Sequence, residues 1–152
     1  MAVIKPTFSL TSNASTATTD AGPLSIALSL SATDTLTVDK VQAETVTVST
    51  TEATLFDGDA ISGGDGAGGT VGSFVYMKNT TGSTRNIFIG IVADGGSAAD
   101  LTASGDTARL FTLKDGEFAF FPWDCTQDIL YDANGDYDAT LETWIFVRTG
   151  TA

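Results

Sequence analysis

The chain has 152 residues, of which 42% are hydrophobic and 17% charged, with 19 acids against 7 bases, a net charge of −12 and no histidine. Seven scattered bases cannot neutralise a run of phosphates, so direct nucleic-acid binding is excluded, and an anionic membrane surface is disfavoured for the same reason. With one cysteine and no histidine there is no basis for a zinc site, an intramolecular disulfide or a Cys–His nucleophile.

The length is that of one domain able to bury a core without staples. Its polarity comes largely from Ser, Thr, Gly and Asn, a composition that suits a β-protein better than a helical bundle. The opening MAVIKPTFSL lacks the apolar segment of a secretory signal, and no stretch approaches the ~18 apolar residues of a membrane span. The expectation is a chain made soluble in a reducing cytoplasm.

Taken in order, residues 1–22 read as an N-terminal arm or first strand, with TSNASTATTDAG at 11–22 small and polar, and residues 23–152 as the folded domain. Leu24 to Leu30 alternates with Leu24, Ile26, Leu28 and Leu30 on one side, the period of a half-buried strand. Leu36 to Val38 reads as its continuation, and Glu44 to Ser49 repeats the pattern with Val46 and Val48 inward. Residues 57–72, DGDAISGGDGAGGTVG, read as a long glycine-rich loop too polar for a regular element. SFVYMKNTTGSTRNIFIGIV, at 73–92, has two alternating strands around a polar turn, a β-hairpin signal. A second acidic loop fills 93–107, with one helical turn expected at Ala98 to Leu101, and both loops are placed at one end of the domain. Arg109 to Asp124 reads as another strand pair, folded about Asp115-Gly116. Asn134-Gly135 signals a type I′ hairpin, which needs positive φ at both residues. The last strand, LETWIFV, sets Leu141, Thr143, Ile145 and Val147 on one face and Trp144 and Phe146 on the other. The fold class that follows is all-β: a single-domain antiparallel sandwich, jelly-roll-like, with an extended N-terminal arm.

Candidate chemistry is sparse. Asp132, Asn134, Asp136 and Asp138 offer oxygens at alternate positions, as Ca²⁺ loops do, but the glycine falls fourth and no glutamate closes the loop. Solvated acids of a hairpin turn are the better reading, and Asp57, Asp59 and Asp65 make a weaker case. GGDGAGG lacks the Gly-Lys-Ser/Thr ending of a phosphate loop. Glu117 and Glu142 read as solvated strand positions rather than a glycosidase pair. Cys125 reads as a small buried hydrophobe beside Trp123. No cofactor is expected, and no enzyme. The aromatic residues concentrate late in the chain. Phe120 and Phe121 occupy opposite faces of one strand, so they cannot share one core. The interface candidates are therefore Phe8, Leu10, Phe120, Phe121, Trp123, Trp144 and Phe146, with core filling as the alternative.

The segments MAVIKPTFSLT, FVYMKNTTGSTRNIFIGI, LFTLKDGEFAFFPWD and LETWIFVRTG resemble small β-rich virion proteins of tailed bacteriophages, particularly contractile-tailed phages of marine cyanobacteria. That resemblance implies a structural virion protein and brings no catalytic residues. The expectation built on it is a head decoration (cement) protein that binds the major capsid protein or another virion protein as a homotrimer, since capsid lattices offer three-fold sites, its Ser/Thr-rich arm ordering on binding or on trimerisation. The alternatives are a neck, tail or fibre-adaptor protein of the same particle, or a carbohydrate-binding sandwich.

Overall fold

The computed structural model describes residues 2–4, 7–11, 25–29, 36–38, 40–61, 73–98, 100–135 and 138–147, with side chains from Lys40 onward. The chain divides into two compact units, Met1–Val38 and Asp39–Ala152. In the first, β1 (Ala2–Ile4) pairs antiparallel with β4 (Leu36–Val38), and β2 (Thr7–Thr11) with β3 (Ser25–Ser29). The division therefore falls after Val38 and not at residue 22. The reason is the pairing: the strand read at 24–30 closes on Thr7–Thr11, within the N-terminal unit.

The second unit is a two-sheet antiparallel sandwich. Its strands are β5 (Lys40–Val48), β6 (Ala53–Phe56), β7 (Ser73–Asn79), β8 (Ile87–Ala93), β9 (Arg109–Leu113), β10 (Phe118–Trp123), β11 (Gln127–Ala133) and β12 (Ala139–Val147). One sheet has the order β10-β7-β12-β5, the other β6-β11-β8-β9. Four pairs, β5 with β12, β6 with β11, β7 with β10 and β8 with β9, match the first strand to the last, the second to the next-to-last, and so inward. A long hairpin rolled so that alternate pairs fall in opposite sheets has this order. It is the jelly-roll topology.

Three hairpins expected from the sequence are corners between sheets instead. β7 and β8 lie in different sheets, as do β9 and β10, and β11 and β12. The alternation is real in each case, because both strands of a corner turn one apolar face to the same interior. Val75, Met77, Leu141 and Ile145 from one sheet meet Ile87, Ile89 and Ile129 from the other. Period 2 fixes which side chains go inward; it carries no information on which strand is the neighbour.

The corners are tied by side chains. Asn79, fully buried, donates from Nδ2 to the carbonyls of Arg85 (2.9 Å) and Leu113 (3.0 Å), while its Oδ1 accepts from the backbone N–H (3.1 Å) and hydroxyl (2.6 Å) of Thr81. Its backbone bonds to Gly116 and Glu117, so one residue joins both corners at this end. At Asn134-Gly135 only the glycine has positive φ (98°), so the turn is not type I′. Asn134 is held otherwise: its Oδ1 accepts from Asn86 N–H (2.9 Å) and its carbonyl from Arg85 Nη1 (2.5 Å). A Cβ on Gly135 would overlap the Arg85 guanidinium.

The glycine-rich segment begins with a short helix, α1 (Gly58–Ile61), where an irregular loop was expected; the Asp57 carboxylate caps it by accepting from Ala60 N–H (3.0 Å). In the segment after β8 the described residues around Asp100 form an Asx turn, with Asp100 Oδ1 accepting from Thr102 N–H (2.8 Å); the helical turn expected at Ala98 to Leu101 includes Ala99, which falls outside the described residues. This segment lies over the outer face of the second sheet. Leu101 is fully buried there against Phe88 and Leu130, and Gly90 beneath it has no space for a Cβ, which would come 2.5 Å from Leu101 Cδ2.

Candidate functional site: an exposed aromatic sheet face

The outer face of the β10-β7-β12-β5 sheet is set by register. Opposite partners run in rows across the four strands. One row is Phe118, Lys78, Glu142 and Thr45; the next is Phe120, Tyr76, Trp144 and Ala43; the third is Pro122, Phe74, Phe146 and Val41. The last two rows hold five aromatic rings and no charge. A face that met only water would be polar at these positions.

The rings contact one another across the strands. Phe74 stacks on Phe120 with centroids 5.7 Å apart, Phe146 lies edge-on to Phe120 at 6.2 Å, and Trp144 stacks on Phe146 at 6.3 Å. Tyr76 tilts against Phe118 at 6.2 Å. Even so, Phe118 stays 54% exposed, Phe120 43% and Trp144 39%. Of the five exposed large apolar side chains among the described residues, four (Val41, Phe118, Phe120, Trp144) lie on this face and Leu110 does not. They form one patch, not scattered singles, and contiguous apolar patches mark interaction surfaces.

Polar groups sit along one margin. Trp144 Nε1 donates to Glu142 Oε1 (3.0 Å), which ties the indole to that margin. Burial and then Glu142 hold the Tyr76 phenol above its ordinary pKa, so it stays neutral and keeps its proton to donate.

The interface candidates separate by strand parity. Phe120, Trp144 and Phe146 belong to the exposed face. Phe121 and Trp123 do not: they point inward, Phe121 edge-on to Phe111 at 5.7 Å and Trp123, 3% exposed, beside Phe56 at 6.0 Å. The Trp123 indole N–H is used internally, donating to the Gln127 carbonyl (3.0 Å). Phe8 and Leu10 lie on β2, and their side chains fall outside the described residues. Reading single strands missed Phe74, Tyr76 and Val41; only the cross-strand register joins them to the others.

No family model matches the chain, and no curated protein matches it. Among solved structures, a chain from Bacillus endospore appendages, described as a novel family of disulfide-linked pili, is similar over 72% of this chain and 87% of its own. The identity is 14% and the TM-score 0.44.

The remaining candidates for chemistry resolve as follows. Cys125 is buried in the core beside Trp123, its Sγ directed at Ser73 Oγ (3.4 Å). Burial pushes the thiol pKa up, so the nucleophilic thiolate is suppressed. A thiol reagent is therefore expected to label Cys125 only on unfolding; rapid stoichiometric labelling of native protein would contradict the buried placement. In the turn weighed as a calcium loop and read as solvated acids, Asp132 is instead buried, its carboxyl pKa raised chiefly by burial, and its Oδ1 accepts from Ala133 N–H (2.7 Å). The Arg85 guanidinium already brings a positive charge to Asn134, while Asp136 falls outside the described residues. Asp138 is exposed.

The first residues of the two acidic loops meet at one end. Asp57, Asp94 and Asp128 bring carboxylate oxygens within 4.8 Å of one another. Asp128 is committed to the backbone, accepting from Gly58 N–H (3.0 Å) and Gly95 N–H (2.9 Å). Asp65 lies outside the described residues. The charge of Asp59, then desolvation and the charges of Asp128 and Asp57, raise the pKa of Asp94. An acid whose folded-state pKa is raised is penalised in its ionised form. Asp94→Asn is therefore expected to raise the melting temperature at about pH 7. The gain should vanish at about pH 3, where the carboxyl is protonated in both states. Melting curves of the two proteins across that range test the sign, and an equal or larger gain in acid would contradict it.

Proposed function

We propose that this chain is a non-enzymatic structural protein that attaches to the surface of a phage virion, as a head decoration protein, through the aromatic face of the β10-β7-β12-β5 sheet. The observation that carries the reading is that four of the five exposed large apolar side chains among the described residues lie on one sheet face. Such a face costs solubility unless something covers it, and the acidic balance of the chain offsets that cost before assembly. Hot spots in interfaces are enriched in Trp and Tyr, and both are here beside phenylalanines that exclude water. Fold alone would not support the assignment, since jelly rolls serve many functions. The virion enters through the sequence resemblance.

Reconstruction of the intact particle tests this. Copies of the chain on the head lattice, hundreds per particle, are the expected result. Six or twelve copies at the neck or tail would move the protein to an adaptor role, and absence from the particle would end the virion reading. The ring of Trp144, exposed beside Glu142, also favours a second reading, stacking on a sugar ring. Quenching of tryptophan fluorescence across a glycan series separates the two.

A further inference from the structure

Each sheet of a sandwich has two edges, and three of the four here are interrupted. β10 carries Pro122, which has no N–H to offer. β6 has four residues and β9 five, and each meets its neighbour across a register shift. Short, bulged and proline-bearing strands are how folded proteins prevent pairing with other chains.

The fourth edge has none of these features. β5 is nine residues long, contains no glycine or proline, and pairs with β12 without a break from Val147↔Lys40 to Ala139↔Val48. Its other side has no strand among the described residues, and Lys40 to Thr45 are all exposed. The short β6 leaves this half of β5 uncovered, so a cleft of about 450 Å³ opens beside Gln42 and Glu44, against Leu55 of β6.

The sequence of that half, Lys-Val-Gln-Ala-Glu, is complementary to itself when reversed. With Gln42 on a two-fold axis, antiparallel pairing of two copies sets Gln42 against Gln42, Val41 against Ala43, and Lys40 against Glu44 on both sides. A shift that centres Glu44 would oppose two carboxylates, so charge selects the register. We propose that β5 is a strand-addition site for a second copy of this chain. The two β10-β7-β12-β5 sheets then join edge to edge into one continuous sheet about the Gln42 axis.

Light scattering on the full chain, with its charge-reversal variants, tests the pairing. The wild type is expected at twice 15.7 kDa at micromolar concentration. Lys40→Glu places four carboxylates at the seam and Glu44→Lys four ammonium groups, and each should weaken dimerisation by roughly tenfold or more. The double variant should dimerise as the wild type does, and so should an equimolar mixture of the two single variants, as a heterodimer. Both positions are exposed, so melting temperatures should stay close to wild type. The two-fold pairing replaces the homotrimer expected from the sequence, and a monomer or that trimer for the wild type would overturn the proposal. So would a dimer indifferent to the single reversals, or a mixture that fails to associate.

Discussion

Asn79→Ala should lower the stability of the second unit by about 3–5 kcal/mol, one of the largest losses any single substitution in this fold can cause. The side chain makes four hydrogen bonds, all to groups at the corners where β7 leaves one sheet and β9 leaves the other. Truncation leaves the buried carbonyls of Arg85 and Leu113 without their donor, at about 1–3 kcal/mol for each orphaned group. Neither corner can relax alone, because the Asn79 backbone is itself bonded to Gly116 and Glu117 across the gap. In a unit of this size the loss corresponds to a melting temperature lower by roughly 10–20 °C. Asn79→Asp is a sharper control, since it keeps the acceptor for Thr81 and removes both donors. It should cost at least as much as alanine, because it also buries a charge. A fall of only a degree or two for either variant in thermal or urea melts would show that the corners hold without this node.

That node explains how much of the fold is legible in the sequence. Alternation identified β7, β8, β10, β12 and the second half of β5, from Glu44, and with them the inward faces; Lys40 to Ala43 gave no signal of a strand. Val46, Val48, Leu141 and Ile145 all pack where period 2 puts them. Neighbours were a different matter. Asn-Thr-Thr-Gly-Ser-Thr, Asp-Gly and Asn-Gly are turn sequences in hairpins and in sheet-crossing corners alike, and the choice depends on pairing between segments far apart in the chain. β5 with β12, the pair that closes the roll, joins the two ends of the second unit. No local pattern encodes it. The same limit applied to the aromatic face. Phe120, Trp144 and Phe146 were recognisable as apolar residues on the polar side of their own strands, whereas Phe74 and Tyr76 joined them only through the β7 register. Trp123 looked equivalent to Trp144 in composition, yet it sits on the inward parity of β10. The acidic cluster is similar: loops 57–72 and 93–107 could be placed at one end, but Asp128, which binds both backbones, gave no signal of its own.

Phe120→Ala combined with Trp144→Ala should reduce attachment to undecorated heads by about 100-fold or more while leaving the melting temperature nearly unchanged. Both side chains are exposed, so their removal takes little from the core; what they lose within the fold is ring contact with Phe74 and Phe146. At a docking surface the same rings would be desolvated, and truncating a central aromatic anchor commonly costs about 2 kcal/mol or more. The two positions lie in one row, separated by Tyr76, so their effects need not add. Leu110→Ala supplies the control, because Leu110 is comparably exposed but sits on β9 in the other sheet. Its binding should match the wild type. Sedimentation of heads with labelled protein measures all three. If the double variant saturates heads at the wild-type concentration while Leu110→Ala does not, the docking face is the opposite sheet. If neither substitution matters, the aromatic rows have another purpose, and a loss of tryptophan quenching by a glycan in Trp144→Ala alone would say which.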